Sequence, residues 1–182
     1  MIKYFKPSLM LRGLKMVPFL VFLCAGLSFA QQNKVFKNRV LGYQLEYPAG
    51  FKIKTMGSAV VFSSDIEDRT FAFSPSVNIV VIDLGSAPVD IENFYKQSKD
   101  ALERSLGVVK FLEDKKDKLA GISAYRLVYT SRQKKADFKF LQVMCIRNNK
   151  AYVLTYTALQ EQYENLLKTA QAVIKSFKFT AN

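Results

Sequence analysis

Hydrophobic and polar residues alternate along most of the chain after residue 40, and this period of two predicts β-strands. The alternation stops where Pro and Gly favour chain reversals, as at Pro48-Ala49-Gly50. The segment 76–84 is rich in β-branched residues, which is typical of a central strand. The strands predicted from these patterns cover residues 40–47, 51–53, 59–63, 76–84, 108–112, 122–130, 138–146 and 152–158.

Two other segments carry apolar residues at i, i+3, i+4 and i+7, the spacing of an amphipathic helix. The first, 91–106, follows Asp90, a residue type that caps helices, and ends at Gly107. The second covers 163–177 and precedes a short aromatic closing strand. Asn148-Asn149 lies between two strand patterns and predicts a tight hairpin, because Asn tolerates left-handed dihedral angles. Many antiparallel strands with two helices predict an α+β fold.

Three stretches show neither period. Residues 31–38 are polar and basic, and predict a flexible N-terminal tail before a domain at 39–180. The charged run 113–118, EDKKDK, predicts a solvated connection between strands. The segment between Ser63 and Ser76 is the least regular and predicts a loop.

The first thirty residues differ in composition from the rest. Four basic residues and no acidic residue precede an apolar run at 16–27, which is shorter than the roughly 20 residues of a membrane span. Ser28-Phe29-Ala30 then matches a small-x-small cleavage site. Residues 1–30 are therefore predicted to be a signal peptide cleaved after Ala30.

Alternatives concern the start codon of this segment and whether the segment is cleaved, retained as an anchor or lipidated. Translation from Met10 instead of Met1 would leave a signal of more ordinary length. A retained anchor is a second possibility. Lipidation of Cys24 is disfavoured, because Leu23 stands where a lipobox has a small residue.

Net charge and cysteine content indicate which kinds of partner and which covalent links the chain after residue 30 can have. Without the leader it has 23 basic and 15 acidic residues, a net charge of +8. A positive excess favours an anionic surface as a partner through long-range steering, although solubility alone also explains it. Only Cys145 remains, so no internal disulfide is expected. Its apolar strand setting predicts a buried, inert thiol.

The residue inventory argues against catalysis. The chain contains no histidine, which removes Ser-His-Asp and Cys-His mechanisms and most zinc sites. No phosphate-binding loop or dinucleotide fingerprint occurs. Ser131 and Lys134 match S-x-x-K, but at a strand end and without the motifs that accompany it in serine enzymes, which favours coincidence. No catalytic residue, metal site or cofactor is predicted, and the chain is not expected to be an enzyme.

Two clusters remain as weak candidates for binding. Asp65, Glu67 and Asp68 could surround a hard cation, but their spacing matches no calcium loop, so a solvated loop is favoured. Basic and aromatic residues also alternate along the later strands. They could form an anion-binding face of the sheet, but half-buried antiparallel strands show the same alternation for purely structural reasons, and this second interpretation is favoured. These residues are Arg126, Arg132, Lys134, Lys135, Lys139 and Arg147 with Tyr125, Tyr129, Phe138 and Phe140.

The order of several short motifs resembles the PsbP family, whose fold is shared with DcrB-type bacterial envelope proteins. The matching pieces are LGY at 41–43, YPAGF at 47–51, the strand 76–84 before a helix, the segment 121–129, AYVLTYTA at 151–158 and SFKF at 176–179. The resemblance extends over residues 35–179. It implies an α/β/α sandwich with a central antiparallel sheet flanked by helices. Members act mostly as non-enzymatic accessory proteins, and the calcium and chloride role of the photosynthetic ones is not carried over to a chain without histidine.

Together these observations predict a secreted accessory or assembly module of the bacterial envelope, periplasmic or extracellular, that binds a protein partner. The alternative is a small-ligand or lipid-binding domain with an apolar pocket between sheet and helix, lined by Tyr and Phe. No nucleic acid and no stable transmembrane anchor are expected. The loop between Ser63 and Ser76 and the basic turns are the expected places for a binding surface.

Overall fold

The computed structural model describes residues 32–65, 73–133 and 135–180. The predicted signal peptide, with both start codons and Cys24, lies outside the described residues. Those described form ten strands and two helices. Their bounds are β1 Asn33–Asn38, β2 Tyr43–Pro48, β3 Lys52–Met56, β4 Ala59–Ser63, β5 Ser76–Asp83, α1 Ile91–Leu106, β6 Val109–Leu119, β7 Ile122–Gln133, β8 Ala136–Arg147, β9 Lys150–Leu159, α2 Tyr163–Lys175 and β10 Lys178–Phe179.

The strands form two antiparallel sheets. The larger has seven strands in the order β3-β4-β5-β9-β8-β7-β6, and the smaller has three in the order β1-β2-β10. Most neighbours in the larger sheet are joined by hairpins, but β5 pairs with β9 across α1 and three strands of sequence. This pairing joins the early strands to the later ones in one sheet.

The core divides into two clusters, because alternate residues of each strand face opposite sides of the larger sheet. On β9, Leu154 and Tyr156 belong to one cluster, together with the buried face of α2 and β2 of the smaller sheet. Val153 belongs to the other cluster, with Phe94 of α1. Antiparallel sheets carrying two helices are therefore the architecture of the described chain.

The predicted helix signals and the hairpin signal are confirmed. The Asp90 carboxylate accepts the Asn93 N–H at 2.8 Å, which caps the first turn of α1. Gly107 ends the helix with a φ of 73°, a left-handed conformation that glycine adopts without steric cost. Asn148 and Asn149 have φ angles of 50° and 53° and form the two-residue turn between β8 and β9.

Two of the stretches predicted to be irregular are strands. The expected flexible tail 31–38 contains β1, which pairs with β2 along its whole length, and Phe36 packs edge-on against Phe62 at 5.3 Å. The expected connection 113–118 lies inside β6, which pairs with β7 at the edge of the larger sheet. Charges are tolerated there because an edge strand exposes its side chains to water, and they protect the edge from further pairing.

Candidate binding groove

A groove lies beside α1 on one face of the larger sheet. The helix packs mainly on β6, β7 and β8, so it covers the same face of β5 and β9 less completely. The open space between the helix and these strands has a volume of about 410 Å³. We call it the α1 groove, and its lining comprises Asn78, Val80, Ile82, Phe94, Ser98, Ala101, Leu102, Ser105, Leu106, Tyr129, Phe140, Gln142, Val153, Thr155 and Thr157.

The helix wall of the α1 groove combines small residues with large apolar ones. Ala101 and Ser105 leave room along the helix, whereas Phe94 and Leu102 provide apolar surface. The Ser98 hydroxyl donates to the Phe94 carbonyl at 2.8 Å, so this polar group is already satisfied within the helix. The wall is therefore mainly an apolar contact surface.

The sheet floor combines apolar residues with uncharged polar ones. The Tyr129 hydroxyl donates to Oε1 of Gln142 at 3.2 Å, and the two residues are only 2% and 7% exposed. Burial raises the pKa of Tyr129, so the phenol remains a neutral donor. Oδ1 of Asn78 is buried, and no described residue donates to it. This oxygen has almost no accessible surface, so it lies beneath the floor, and the half-buried hydroxyls of Thr155 and Thr157 are the floor groups that a ligand can contact.

The lining of the α1 groove makes it a candidate binding site. It has an apolar wall, several hydroxyl and amide groups on the floor, and no charged residue in its lining. A few fixed polar groups in a mostly apolar concavity are typical of ligand sites. This lining is chemically complementary to an uncharged group with both apolar and polar parts.

Residues with nucleophilic potential are placed in inert settings. Burial raises the pKa of the Cys145 thiol to about 12, and the residue packs in the cluster beneath α2. The Ser131 hydroxyl donates to the Leu106 carbonyl at 3.2 Å, so it closes the end of α1. Lys134, the second half of the S-x-x-K match, lies outside the described residues.

The basic and aromatic residues of the later strands do not share a face. Tyr125, Tyr129 and Phe140 pack in the cluster with α1. Arg126 lies between two of them in sequence and therefore faces the other side of the sheet, where it forms an ion pair with Glu113 at 2.7 Å. Lys139 also faces that side, with its Nζ 4.2 Å from the centre of the Tyr163 ring. This arrangement agrees with the favoured interpretation of half-buried strands.

The predicted loop between Ser63 and Ser76 is described only at its ends. Asp65 forms an ion pair with Lys52 at 3.0 Å, and Glu67 and Asp68 lie outside the described residues. Across the described ranges, no three acidic or cysteine side chains gather in a way that could hold a metal ion. The described ends of the loop thus provide no cation site.

Sequence reasoning did not identify the floor of the α1 groove. The available signal was Asn78, an amide in the middle of the β-branched run of β5, and the pair Thr155 and Thr157 on β9. Asn78 and Thr155 are directly opposite in the sheet, but their partnership depends on the pairing of β5 with β9. Local patterns carry no information on that pairing.

Solved structures of several bacterial proteins have a similar fold. Cyanobacterial PsbP (CyanoP) from Synechocystis sp. PCC 6803 superposes with a TM-score of 0.62 at 15% identity, covering 86% of this chain and 96% of that one. LpqN, described as involved in cell envelope biogenesis of Mycobacterium tuberculosis, gives 0.61 at 14% identity, covering 82% and 91%. PA94 from Pseudomonas aeruginosa, described as a putative regulator of unknown function, gives 0.58 at 16% identity, covering 80% and 95%. At these identities the likeness concerns the fold alone.

The sequence itself identifies the family. No curated protein matches the chain in sequence. Neither helix in the described part of the chain is long and apolar enough to cross a membrane. The PsbP family model matches residues 31–179, which is most of the chain and nearly all of its described part. The chain is therefore a member of the PsbP family.

Proposed function

We propose that this protein is a secreted, non-enzymatic accessory module of the bacterial envelope that binds a protein partner in the α1 groove. The observation that carries the proposal is the uncharged groove of about 410 Å³ with an apolar helix wall and an amide and hydroxyl floor. The envelope setting rests on the predicted signal peptide and on the description of LpqN as a protein of cell envelope biogenesis. We further infer that the scaffold is an α/β/α sandwich, with α1 and α2 on opposite faces of the larger sheet.

A short, uncharged segment of a partner chain fits the α1 groove chemically. Its apolar side chains would contact Phe94 and Leu102 on the helix wall. Its backbone N–H groups would donate to the threonine hydroxyls of β9. Main-chain hydrogen bonds together with side-chain pockets are a common way for domains to bind extended peptides.

Site-specific photo-crosslinking in the native envelope tests this proposal. Ala101 lines the α1 groove, whereas Glu103, two residues later on the same helix, does not. With p-benzoylphenylalanine at Ala101, we expect one discrete adduct that is missing when the same group replaces Glu103. The crosslinked partner segment is then identified by mass spectrometry and synthesised as a peptide.

Binding of that peptide to the purified protein completes the test. Isothermal titration calorimetry should show that Ala101→Trp, which fills the groove, abolishes binding. Glu103→Trp adds the same side chain away from the groove lining and should leave the affinity unchanged. Equal affinities for both variants would exclude the α1 groove as the partner site.

A second candidate function is the binding of a small amphipathic ligand or lipid. The observation that favours it is the apolar helix wall beside the half-buried hydroxyls of Thr155 and Thr157, to which one donor group of a small molecule would hydrogen-bond. Native mass spectrometry of the protein purified from its envelope should then detect a bound mass of a few hundred daltons. An apo mass, with no rise in melting temperature across a lipid screen, would eliminate this candidate.

Secretion is tested separately from binding. Cleavage after Ala30 predicts that the mature protein begins at Gln31. Intact-mass measurement of the protein from the envelope fraction should give this terminus. A mass that includes the leader, or a lipid on Cys24, would contradict cleavage after Ala30 and would indicate a membrane-anchored protein instead.

A further inference from the structure

A second concavity lies on the opposite side of the larger sheet from the α1 groove, at the hairpin between β8 and β9. Tyr152, in its lining, packs in the cluster beneath α2, whereas the neighbouring Val153 lines the α1 groove. The concavity has a volume of about 100 Å³ and lies between this hairpin, the turn after β1 and the end of β10. We call it the Arg147 pocket, and define it by Gly42, Arg147, Asn148, Lys150, Tyr152 and Phe179.

Two cations face the Arg147 pocket without a carboxylate in its lining. Arg147 and Lys150 are directly opposite in the pairing of β8 with β9, so both side chains project to the same face. Neither forms an ion pair with any described residue. Asp83 is the cross-strand neighbour of Lys150 on β5, but it forms no ion pair with Lys150 and does not line the pocket; its Oδ1 accepts the Gly85 N–H at 2.8 Å.

The guanidinium of Arg147 is held by an aromatic ring. Its Cζ lies 4.5 Å from the centre of the Phe179 ring, a cation–π distance. Phe179 in turn packs edge-on against Tyr152 at 5.1 Å, and the Tyr152 hydroxyl donates to the Leu41 carbonyl at 3.0 Å. The ring contact leaves the N–H donors of Arg147 available, and it restricts the side chain before any ligand arrives.

Two other cations of the described residues, which form no ion pair there, lack this setting. Lys54 on β3 and Lys116 on β6 lie on exposed edge strands, and no described residue forms an ion pair with either. Neither has an aromatic ring beneath its ammonium group among the described residues. The Arg147 pocket differs from these two sites because it holds an unpaired guanidinium on an aromatic ring beside an ammonium group.

We propose that the Arg147 pocket binds a phosphate group, with Arg147 donating two parallel hydrogen bonds and Lys150 supplying a point charge. The planar guanidinium fork matches the oxygens of phosphate, and an ammonium beside it completes the charge neutralisation. The small volume suits a single phosphate group and leaves the remainder of its molecule outside. This group is carried either by a phospholipid headgroup or by a soluble phosphate. The proposal is independent of the α1 groove.

Titration with inorganic phosphate at constant ionic strength tests the pocket by NMR. Saturable shifts are expected for the backbone amides of Gly42, Asn148 and Thr180. The double variant R147Q/K150Q should weaken phosphate binding by about tenfold or more, since it removes the charge-assisted hydrogen bonds. The control K54Q/K116Q removes the same total charge elsewhere and should bind phosphate as the unmodified protein does. The spectra themselves report whether each variant is folded.

Vesicle flotation distinguishes the two sources of the phosphate. Vesicles of phosphatidylcholine are compared with vesicles that also contain phosphatidylglycerol. If only the latter float the protein, and R147Q/K150Q abolishes flotation while K54Q/K116Q does not, the source is a lipid headgroup. If phosphate binding saturates but no vesicle floats the protein, the source is a soluble phosphate. Unsaturable shifts, or equal losses in both double variants, would overturn the proposal, because net charge alone would then explain the binding.

Discussion

Phe177 provides the sharpest test of how the smaller sheet is held to the rest of the domain. Its ring lies just after α2 and is only 1% exposed. It stacks on Tyr43 of β2 with ring centres 5.6 Å apart, and packs at steep angles against Tyr152 at 5.8 Å and Phe179 at 5.2 Å. One side chain thus joins β2, β9 and β10, so its truncation to alanine affects all three strands.

The expected loss follows from these contacts. Truncating a fully buried Phe to Ala removes its transfer free energy and leaves a cavity, which together cost about 3 to 5 kcal/mol. Aromatic pairs add about 0.5 to 1.5 kcal/mol beyond the buried area. Because Phe177 contacts three rings, we expect Phe177→Ala to lower the free energy of unfolding by about 4 kcal/mol, a large share of the typical stability of one domain.

Urea unfolding followed by far-ultraviolet circular dichroism measures this loss, since the chain has no tryptophan to report by fluorescence. Phe177→Leu keeps most of the volume but loses the three ring contacts, so it should cost less than Phe177→Ala, about 1.5 to 3 kcal/mol. Leu112→Ala, at a residue that is 49% exposed, should change the free energy of unfolding by less than about 1 kcal/mol. A loss below about 1 kcal/mol for Phe177→Ala would refute the packing described for the end of α2.

Three further predictions concern single residues. Burial raises the pKa of Cys145 to about 12, so its thiol in the mature protein should not react with a thiol reagent at pH 8 until urea unfolds the chain. Rapid reaction in the native state would contradict this burial. Hydrogen bonding from the Asn93 N–H holds the pKa of Asp90 below its usual value. The ionised carboxylate therefore stabilises the fold at pH values above the unfolded pKa of about 4. This contribution is lost as the pH falls through the folded pKa. Urea midpoints should therefore show that Asp90→Ala lowers stability at pH 7 and has little effect at pH 2, and an equal effect at both would show that the carboxylate charge is irrelevant. Asn148 has a φ of 50°, so Asn148→Gly should leave the urea midpoint nearly unchanged while Asn148→Val costs about 1 to 2 kcal/mol, and equal midpoints would mean that the turn relaxes.

The elements that could be predicted from sequence are those with a strong local cause. The cap at Asp90, the stop at Gly107 and the turn at Asn148-Asn149 all depend on the dihedral angles or hydrogen bonds of a few adjacent residues. The run 113–118 was misjudged for the opposite reason. Its charges favour a loop in isolation, but Glu113 and Asp114 find partners in Arg126 and Lys99, at 2.7 Å each, once β6 lies beside β7 and α1.

The candidate sites were less accessible to sequence reasoning than the fold. An apolar pocket between sheet and helix was considered, with Tyr and Phe in its lining, and the α1 groove contains Tyr129, Phe94 and Phe140. Its polar floor was missed, because Asn78 and Thr155 are far apart in sequence and meet only in the sheet. Arg147 was singled out in a basic group, but nothing local indicated that Phe179 lies beneath it.

The sequence alone determined which residues of each helix and strand face the core, where the caps and turns lie, and that the chain belongs to the PsbP family. These features depend on hydrophobic period, dihedral preference and motif order, which are properties of the sequence itself. Only the tertiary structure decided that residues 33–38 form a strand, that β5 lies beside β9, and that α1 leaves part of its sheet face open. The physical reason is that these outcomes depend on burial shared between distant segments. An apolar stripe predicts that a face will be buried, but the packing of the whole chain determines which element buries it.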